Sequence, residues 1–385
     1  NFTQRVSVAF FRYLPAHYQP TMNRIMFAGL LTALHFCFLA SAQQDRTGAD
    51  INDGPYVFIR PEGLVAQWIA AGELRQDTLR PGDALALEPG VSAAFDASYL
   101  RFDAPLFSAS VQTRFKGVSN IAVVGDPHGQ FDVVNRLLQT HRIIDAEQNW
   151  IYGKGHLVFL GDFMDRGTQV QDLFWLVIKL EQQAERAGGK VHFLLGNHER
   201  MIMEGDLRYL HVKYRYTMAK MGLSYERLYG PDTYIGQWLR SRPVTFSINN
   251  IAFVHAGFSE EVMQLNLSQE QINALFREQI LDRSEAEIEA NPTAALLDSG
   301  LGPLWYRGYF EESFTQEKVQ QILTALRAKR IVVGHTSFPT IETRFKGKVI
   351  AADSSIKTGQ QGELLFISKK HRLRGTLDGS LIELI

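Results

Sequence analysis

Five short apolar runs recur along this chain, and each ends in a polar turn that carries glycine. IAVV (121–124) leads into GDPHG, and LVFL (157–160) into GDFMDRG. VHFLL (191–195) leads into GNHER, IAFV (251–254) into HAG, and IVV (331–333) into GHT. Runs this short, rich in branched residues and bounded by turn residues, predict strands buried on both faces. Between them the spacing changes to helical. FDVVNRLLQTHR (131–142) puts apolar residues at 131, 134, 137 and 138 on one face. VQDLFWLVIKLEQQAERAGG (170–189) is apolar early, amphipathic later and stopped by glycines. KVQQILTALRAKR (318–330) aligns Val319, Ile322, Leu323 and Leu326 just before IVVGHT.

The order of strand, polar turn and helix predicts an α/β fold, with two sheets packed together and helices outside. VIAADSS (349–355) and GELLFISK (362–369) read as closing strands. Residues 200–248 and 258–315 are longer, aromatic-rich insertions, expected to form helices and loops over the strand ends. The aromatic stretch 209–216 within the first reads as packing. Ahead of this core, residues 43–118 form a small β-rich region. YVFIR (56–60) and ALAL (84–87) read as strands there, RPGD (80–83) as a turn, and Gln43–Asp53 as a loose start. The main domain is expected to occupy 119–385.

The N-terminus changes the picture of location rather than of fold. Met22-Asn23-Arg24, the apolar run 25–40 and Ala40-Ser41-Ala42 match a secretory signal peptide over 22–42, cut before Gln43. The run is shorter than the ~20 residues of a spanning helix, which argues against the alternative of a membrane anchor. Secretion, into a periplasm if the source is Gram-negative, and no stable membrane insertion of the mature chain are the expectations. Residues 1–21 precede Met22 and receive no role.

Composition narrows the chemistry. The 385 residues are 45% hydrophobic and 21% charged, with a net charge of −1, so a general nucleic-acid binder is not expected. Cys37 is the one cysteine and lies inside the signal, so the mature chain has no thiol nucleophile. What the five turns offer instead is Asp126, His128, Asp162, Asn197, His255 and His335. Carboxylate, amide and imidazole ligands suit manganese, iron or zinc. Six exceed the needs of one four-coordinate ion, whereas two divalent metal ions would use them all, with Asp162 as a bridge. Such a pair suits an anionic substrate and in-line attack of a metal-bridging hydroxide on phosphorus. His198 follows Asn197 directly and is the expected acid for the leaving oxygen. Asp165 would orient it, and Arg166 offers a planar fork for phosphate. His156 and His192 read as structural histidines, and His141 and His211 as solvated ones.

The ordered set GDPHG, GDFMDRG, GNHE, HAG and GHT resembles the phosphoprotein phosphatase family of calcineurin-like metallophosphoesterases, over roughly residues 119–356. The resemblance implies a two-sheet β-sandwich flanked by helices. It implies the same six metal ligands, Asp165–His198 as the acid pair, and Arg166 as a phosphate arginine. Within the family, the secretory start and GPLWYRGY (302–309) are similar to the bacterial Shewanella-like branch, associated with phosphoprotein substrates and a preference for phosphotyrosine. The second phosphate arginine of the family then falls on Arg307. HAG in place of the usual HGG, and an unusual segment from Asp353, leave substrate choice open. Hydrolysis of a small phosphorylated metabolite or dinucleoside polyphosphate is the alternative activity. A non-catalytic phosphate-binding module is the alternative of another class. Oligomeric state is not expected from any of these patterns.

Overall fold

The computed structural model describes residues 51–384. The signal-peptide and cleavage expectations fall outside the described residues. Strands β1 (Asp53–Arg60), β2 (Gly63–Ala70) and β3 (Glu73–Leu79) form an antiparallel sheet of their own. The remaining strands build two six-stranded sheets. One has the order β15-β14-β13-β5-β6-β7, from β5 (Asn120–Val124), β6 (His156–Phe159), β7 (Lys190–Phe193), β13 (Glu363–Ser368), β14 (Arg372–Thr376) and β15 (Leu381–Glu383). The other has the order β11-β12-β10-β9-β8-β4. Its members are β4 (Arg114–Phe115), β8 (Thr245–Ile248), β9 (Ile251–Val254), β10 (Arg330–Val333), β11 (Glu342–Arg344) and β12 (Val349–Ala351).

Alternation explains why the five runs are apolar throughout. Ile121, Val123, Val158, Leu160, Ile251, Phe253 and Val332 fill the core between the sheets. Their neighbours Ala122, Val124, Leu157, Phe159, Ala252, Val254, Ile331 and Val333 face the second, larger core under the helices. With both faces covered, nearly every position along these runs is apolar, and the exception, His192 in β7, is paired with His156 at 2.9 Å. β5, β6 and β7 run parallel, and so do β9, β10 and β12. Their carboxyl ends therefore deliver turns in sets, the usual place for ligands in α/β sheets.

Helix α1 (Phe131–Thr140) buries the predicted face, with Phe131, Val134, Leu137 and Leu138 all in the core. Helix α2 (Val170–Arg186) follows β6, and α3 (Asn197–Glu204) follows β7. The first insertion supplies α4 (Val212–Met221) and α5 (Tyr234–Arg240), and the second α6 (Glu260–Gln264), α7 (Gln269–Leu275), α8 (Glu285–Glu289) and α9 (Pro292–Leu297). Helix α10 (Gln316–Ala325) starts two residues earlier and ends five earlier than its pattern predicts, because Arg327 turns left-handed (φ 52°) and closes it.

Several expectations are corrected. ALAL (84–87) is not a strand: Leu85 and Leu87 pack on the core, but no neighbouring strand pairs with them. Asp53 is not loose. It is buried, accepts hydrogen bonds from Tyr56 Oη and Thr217 Oγ1 (2.7 Å each), and pairs with Lys213 Nζ at 3.0 Å. Residues 245–248 of the first insertion form strand β8 rather than helix or loop. His211 caps α4 by accepting from the Lys213 amide (3.1 Å), and His141 Nε2 bonds the Thr376 carbonyl (2.8 Å), so neither is simply solvated. Among the described residues, no helix is long and apolar enough to cross a membrane.

Candidate active site

All ten nominated side chains converge beyond the carboxyl ends of β5, β6, β7, β9 and β10. Asp162 is the hub. Its Oδ2 lies 3.5 Å from His128 Nε2, 3.4 Å from His255 Nε2 and 4.0 Å from His198 Nε2. Its Oδ1 accepts from the His198 amide at 2.9 Å. Two groups that could each hold a metal ion share it: His128, Asp162 and His198 on one side, and Asp162, His255 and His335 on the other. Asn197 Oδ1 lies 2.9 Å from His255 Nε2, and the Asp126 Oδ2 accepts from the His335 amide at 2.8 Å.

The backbone is bent to make this possible. His128, Asp162, Asp165, Arg166 and His335 all adopt positive φ, between 45° and 69°. Non-glycine residues take that conformation at a cost, and it persists where surrounding contacts over-determine it. Glu199 provides many of those contacts. Its fully buried carboxylate accepts from the amides of Asp162 (2.8 Å), Phe163 (2.7 Å), Met164 (3.2 Å) and Gly196 (2.8 Å). One side chain thus ties the turn after β6 to the start of α3. Gly196 and Gly334 allow close approach, since a Cβ at either would overlap a carboxylate oxygen, of Asp162 and Asp126 respectively.

Electrostatics separate the imidazoles. Burial pushes His128 down to about 3 and His335 down to about 2, so both are neutral and available as ligands. Burial also opposes a charge on His255, but the Asp162 and Asp126 carboxylates outweigh it and hold the ring at about 9. Burial, reinforced by Asp353, raises Asp126. For Asp162 burial acts upward too, yet the surrounding imidazoles win and hold it well below the usual carboxylate range.

The donor set fits divalent metal ions. Asp126 Oδ1 and His335 Nε2 are buried with no hydrogen-bond partner in the protein, a costly arrangement unless something cationic receives them. His128 Nδ1 bonds the Met164 carbonyl (2.9 Å) and His255 Nδ1 the Leu160 carbonyl (2.7 Å), which orients their Nε2 atoms toward Asp162. His198 differs: its Nδ1 is 2.5 Å from Asp165 Oδ2. Arg166 and Arg307 stand exposed at the rim. The Arg166 guanidinium lies 4.8 Å over the Tyr209 ring, and Arg307 Nη1 donates to the His335 carbonyl at 3.1 Å.

Sequence reading missed three neighbours. Glu199 was legible as the capping-box partner of Gly196, three residues on. Asp353 follows the β12 run as the candidate ligands follow theirs, and its buried carboxylate accepts from Ser337 and from the Ser355 amide. Tyr209, which the pattern assigns to packing, is half exposed beside His198. Tyr214 of the same stretch is fully buried and does pack.

Acids and imidazoles delivered by the strand ends of two facing sheets, with arginines at the rim, are what hydrolysis of a phosphoester on metal ions requires, and this fold and site belong to that class. Comparison with known proteins agrees. Residues 119–338 match the calcineurin-like phosphoesterase family. The solved cold-active protein-tyrosine phosphatase of a psychrophilic Shewanella is 39% identical, with a TM-score of 0.78 covering 86% of this chain and 99% of that one. An uncharacterized protein of Schizosaccharomyces pombe is 30% identical over 285 residues, 71% of this chain and 83% of its own length. Shewanella-like protein phosphatase 1 of Plasmodium berghei is 27% identical over 264 residues, 66% of this chain and 72% of that protein. The chain belongs to the calcineurin-like phosphoesterase family and is a metal-dependent phosphatase.

Proposed function

We propose that the chain is a secreted two-metal phosphomonoesterase that dephosphorylates phosphoproteins, with a preference for phosphotyrosine. One observation carries the chemistry: a single carboxylate, Asp162, lies among His128, His255 and His335, with the acid-bound His198 beside it. The names of its relatives, a protein-tyrosine phosphatase and a Shewanella-like protein phosphatase, support the substrate class. The stretch 22–42 supports secretion.

Asp126, His128, Asp162, Asn197, His255 and His335 would hold two divalent ions, manganese, iron or zinc. When bound, the ions acidify water and draw charge from the phosphoryl oxygens. The chain's own residues do the rest. Arg166 and Arg307 present planar forks that bind and orient the phosphoryl group. Asp165 accepts a hydrogen bond from His198 Nδ1–H, orients the ring and stabilises its doubly protonated form. Nε2 of His198 then faces the site and holds the proton that the leaving oxygen takes up. Burial raises Asp165, which makes it a strong acceptor of that hydrogen bond.

A substrate panel tests the reading. The mature protein, assayed with added manganese, should show a higher kcat/KM for a phosphotyrosine peptide than for sugar phosphates, nucleotides or a diadenosine polyphosphate. Chelation should abolish the activity, and thiol reagents should leave it intact. A much larger kcat/KM for one small metabolite would overturn the phosphoprotein assignment.

A further inference from the structure

Helix α3 ends at Gly205 in a left-handed turn, and the chain then doubles back to the site before α4 begins. That return places Tyr209. Its carbonyl accepts from the Arg166 amide at 3.1 Å, so the ring is tied to the phosphate-binding turn through the backbone. The ring centroid lies 5.2 Å from that of His198, tilted by 46°, and the Arg166 guanidinium sits 4.8 Å over it. Yet 43% of the residue remains exposed. A large aromatic side chain is therefore held beside the proton donor and the phosphate arginine, with much of its surface left to meet something else. The half-buried Trp305 ring stands 6.1 Å from His335, whose carbonyl accepts from Arg307.

The leaving oxygen must come within reach of His198 Nε2. Whatever group that oxygen carries then passes along the Tyr209 ring. An aryl group can stack on it or meet its edge. The single methylene of phosphoserine brings almost no apolar surface to the same place. Aromatic pairs gain free energy beyond the area they bury.

We propose that Tyr209 is a specificity-determining residue, contacting the leaving group and favouring aryl phosphates, phosphotyrosine above all, over alkyl ones. This rests on the phosphatase function proposed above and adds the residue that selects the substrate. A disturbed Arg166 lowers both substrates together, and a disturbed His198 lowers alkyl esters more than aryl ones, because the poorer alkoxide leaving group needs its proton more. Loss of an aryl contact moves the ratio the other way.

The test compares Tyr209→Ala and Tyr209→Phe with wild type on two peptides of one sequence, carrying phosphotyrosine or phosphoserine. Tyr209→Ala should lower the phosphotyrosine-to-phosphoserine ratio of kcat/KM by roughly three- to tenfold, the size expected of one aromatic pair. Tyr209→Phe, which keeps the ring, should retain the wild-type ratio. Equal losses on both peptides, or a larger loss on phosphoserine, would overturn the proposal and make Tyr209 a positioning residue for Arg166 or His198. An unchanged ratio in Tyr209→Ala would overturn it as well. A wild-type enzyme inactive on both peptides would instead overturn the phosphoprotein function. The ring would then be judged by the same ratio measured on phenyl phosphate and an alkyl phosphate.

Discussion

Histidines gather in two places on the same sheets, and their surroundings differ completely. Near the start of β6 and within β7, His156 Nδ1 and His192 Nε2 lie 2.9 Å apart. Phe246 stacks on His192 at 4.6 Å and Phe115 meets it edge-on at 4.7 Å. Burial and Lys190 push His156 down to about 4, and burial pushes His192 well down too. Beyond the far ends of the strands, His128, His198, His255 and His335 surround Asp162 instead. There a carboxylate holds one imidazole up, and buried lone pairs remain without partners. Density of histidine does not make a metal centre. A shared acid among the imidazoles, with acceptors left over, does.

The largest test of that contrast is Asp162→Asn, which keeps the shape and removes the shared charge. Bound metal measured by mass spectrometry should fall to background. Turnover should drop by more than the roughly 10–100-fold that outer-shell partners cost. Normal metal content in this variant would dissolve the distinction between the two clusters. His198→Asn should come next, lowering turnover by about 10²–10⁴-fold while metal content stays near wild type. Near-normal turnover would remove His198 from its role as acid and return it to the ligand group its position also permits.

The smallest effect belongs to the packed pair. Both rings have pKa values depressed below the ordinary 6.5, so their neutral form favours the fold. That contribution is present above pH 6.5 and is lost as pH falls toward about 4. A His156→Leu/His192→Leu double variant should therefore lose less Tm than wild type over that acid interval, with turnover at neutral pH within about twofold of wild type, as expected of a site far from the chemistry. A parallel Tm–pH curve would show that these rings do not titrate with unfolding.

Much of this was legible because strands buried on both faces leave an unambiguous signature. The five runs became β5, β6, β7, β9 and β10, and the polar residues after them met in one place. The segments that misled were those whose state depends on a neighbour. ALAL alternates like a strand but has no strand to pair with, while residues 245–248 become one by pairing with β9. Asp53 lies at the edge of a polar stretch, and its distant partners Lys213 and Thr217 show why it is buried. Lys213 Nζ also donates to the Thr168 carbonyl at 2.8 Å, so the small N-terminal sheet reaches the turn that carries Arg166.

Local order along the chain was enough to determine the strand–turn pattern, the ligand types and the Asp165–His198 candidates. Backbone periodicity and side-chain chemistry are properties of neighbouring residues, and a single sequence carries them in full. Tertiary structure alone decided that Asp162 lies among four imidazoles, that Glu199 braces the turn, and that Tyr209 faces His198 rather than the core. Those facts depend on distances between segments far apart in the chain. Such distances are set by how the two sheets and the insertions pack together, which local patterning does not encode.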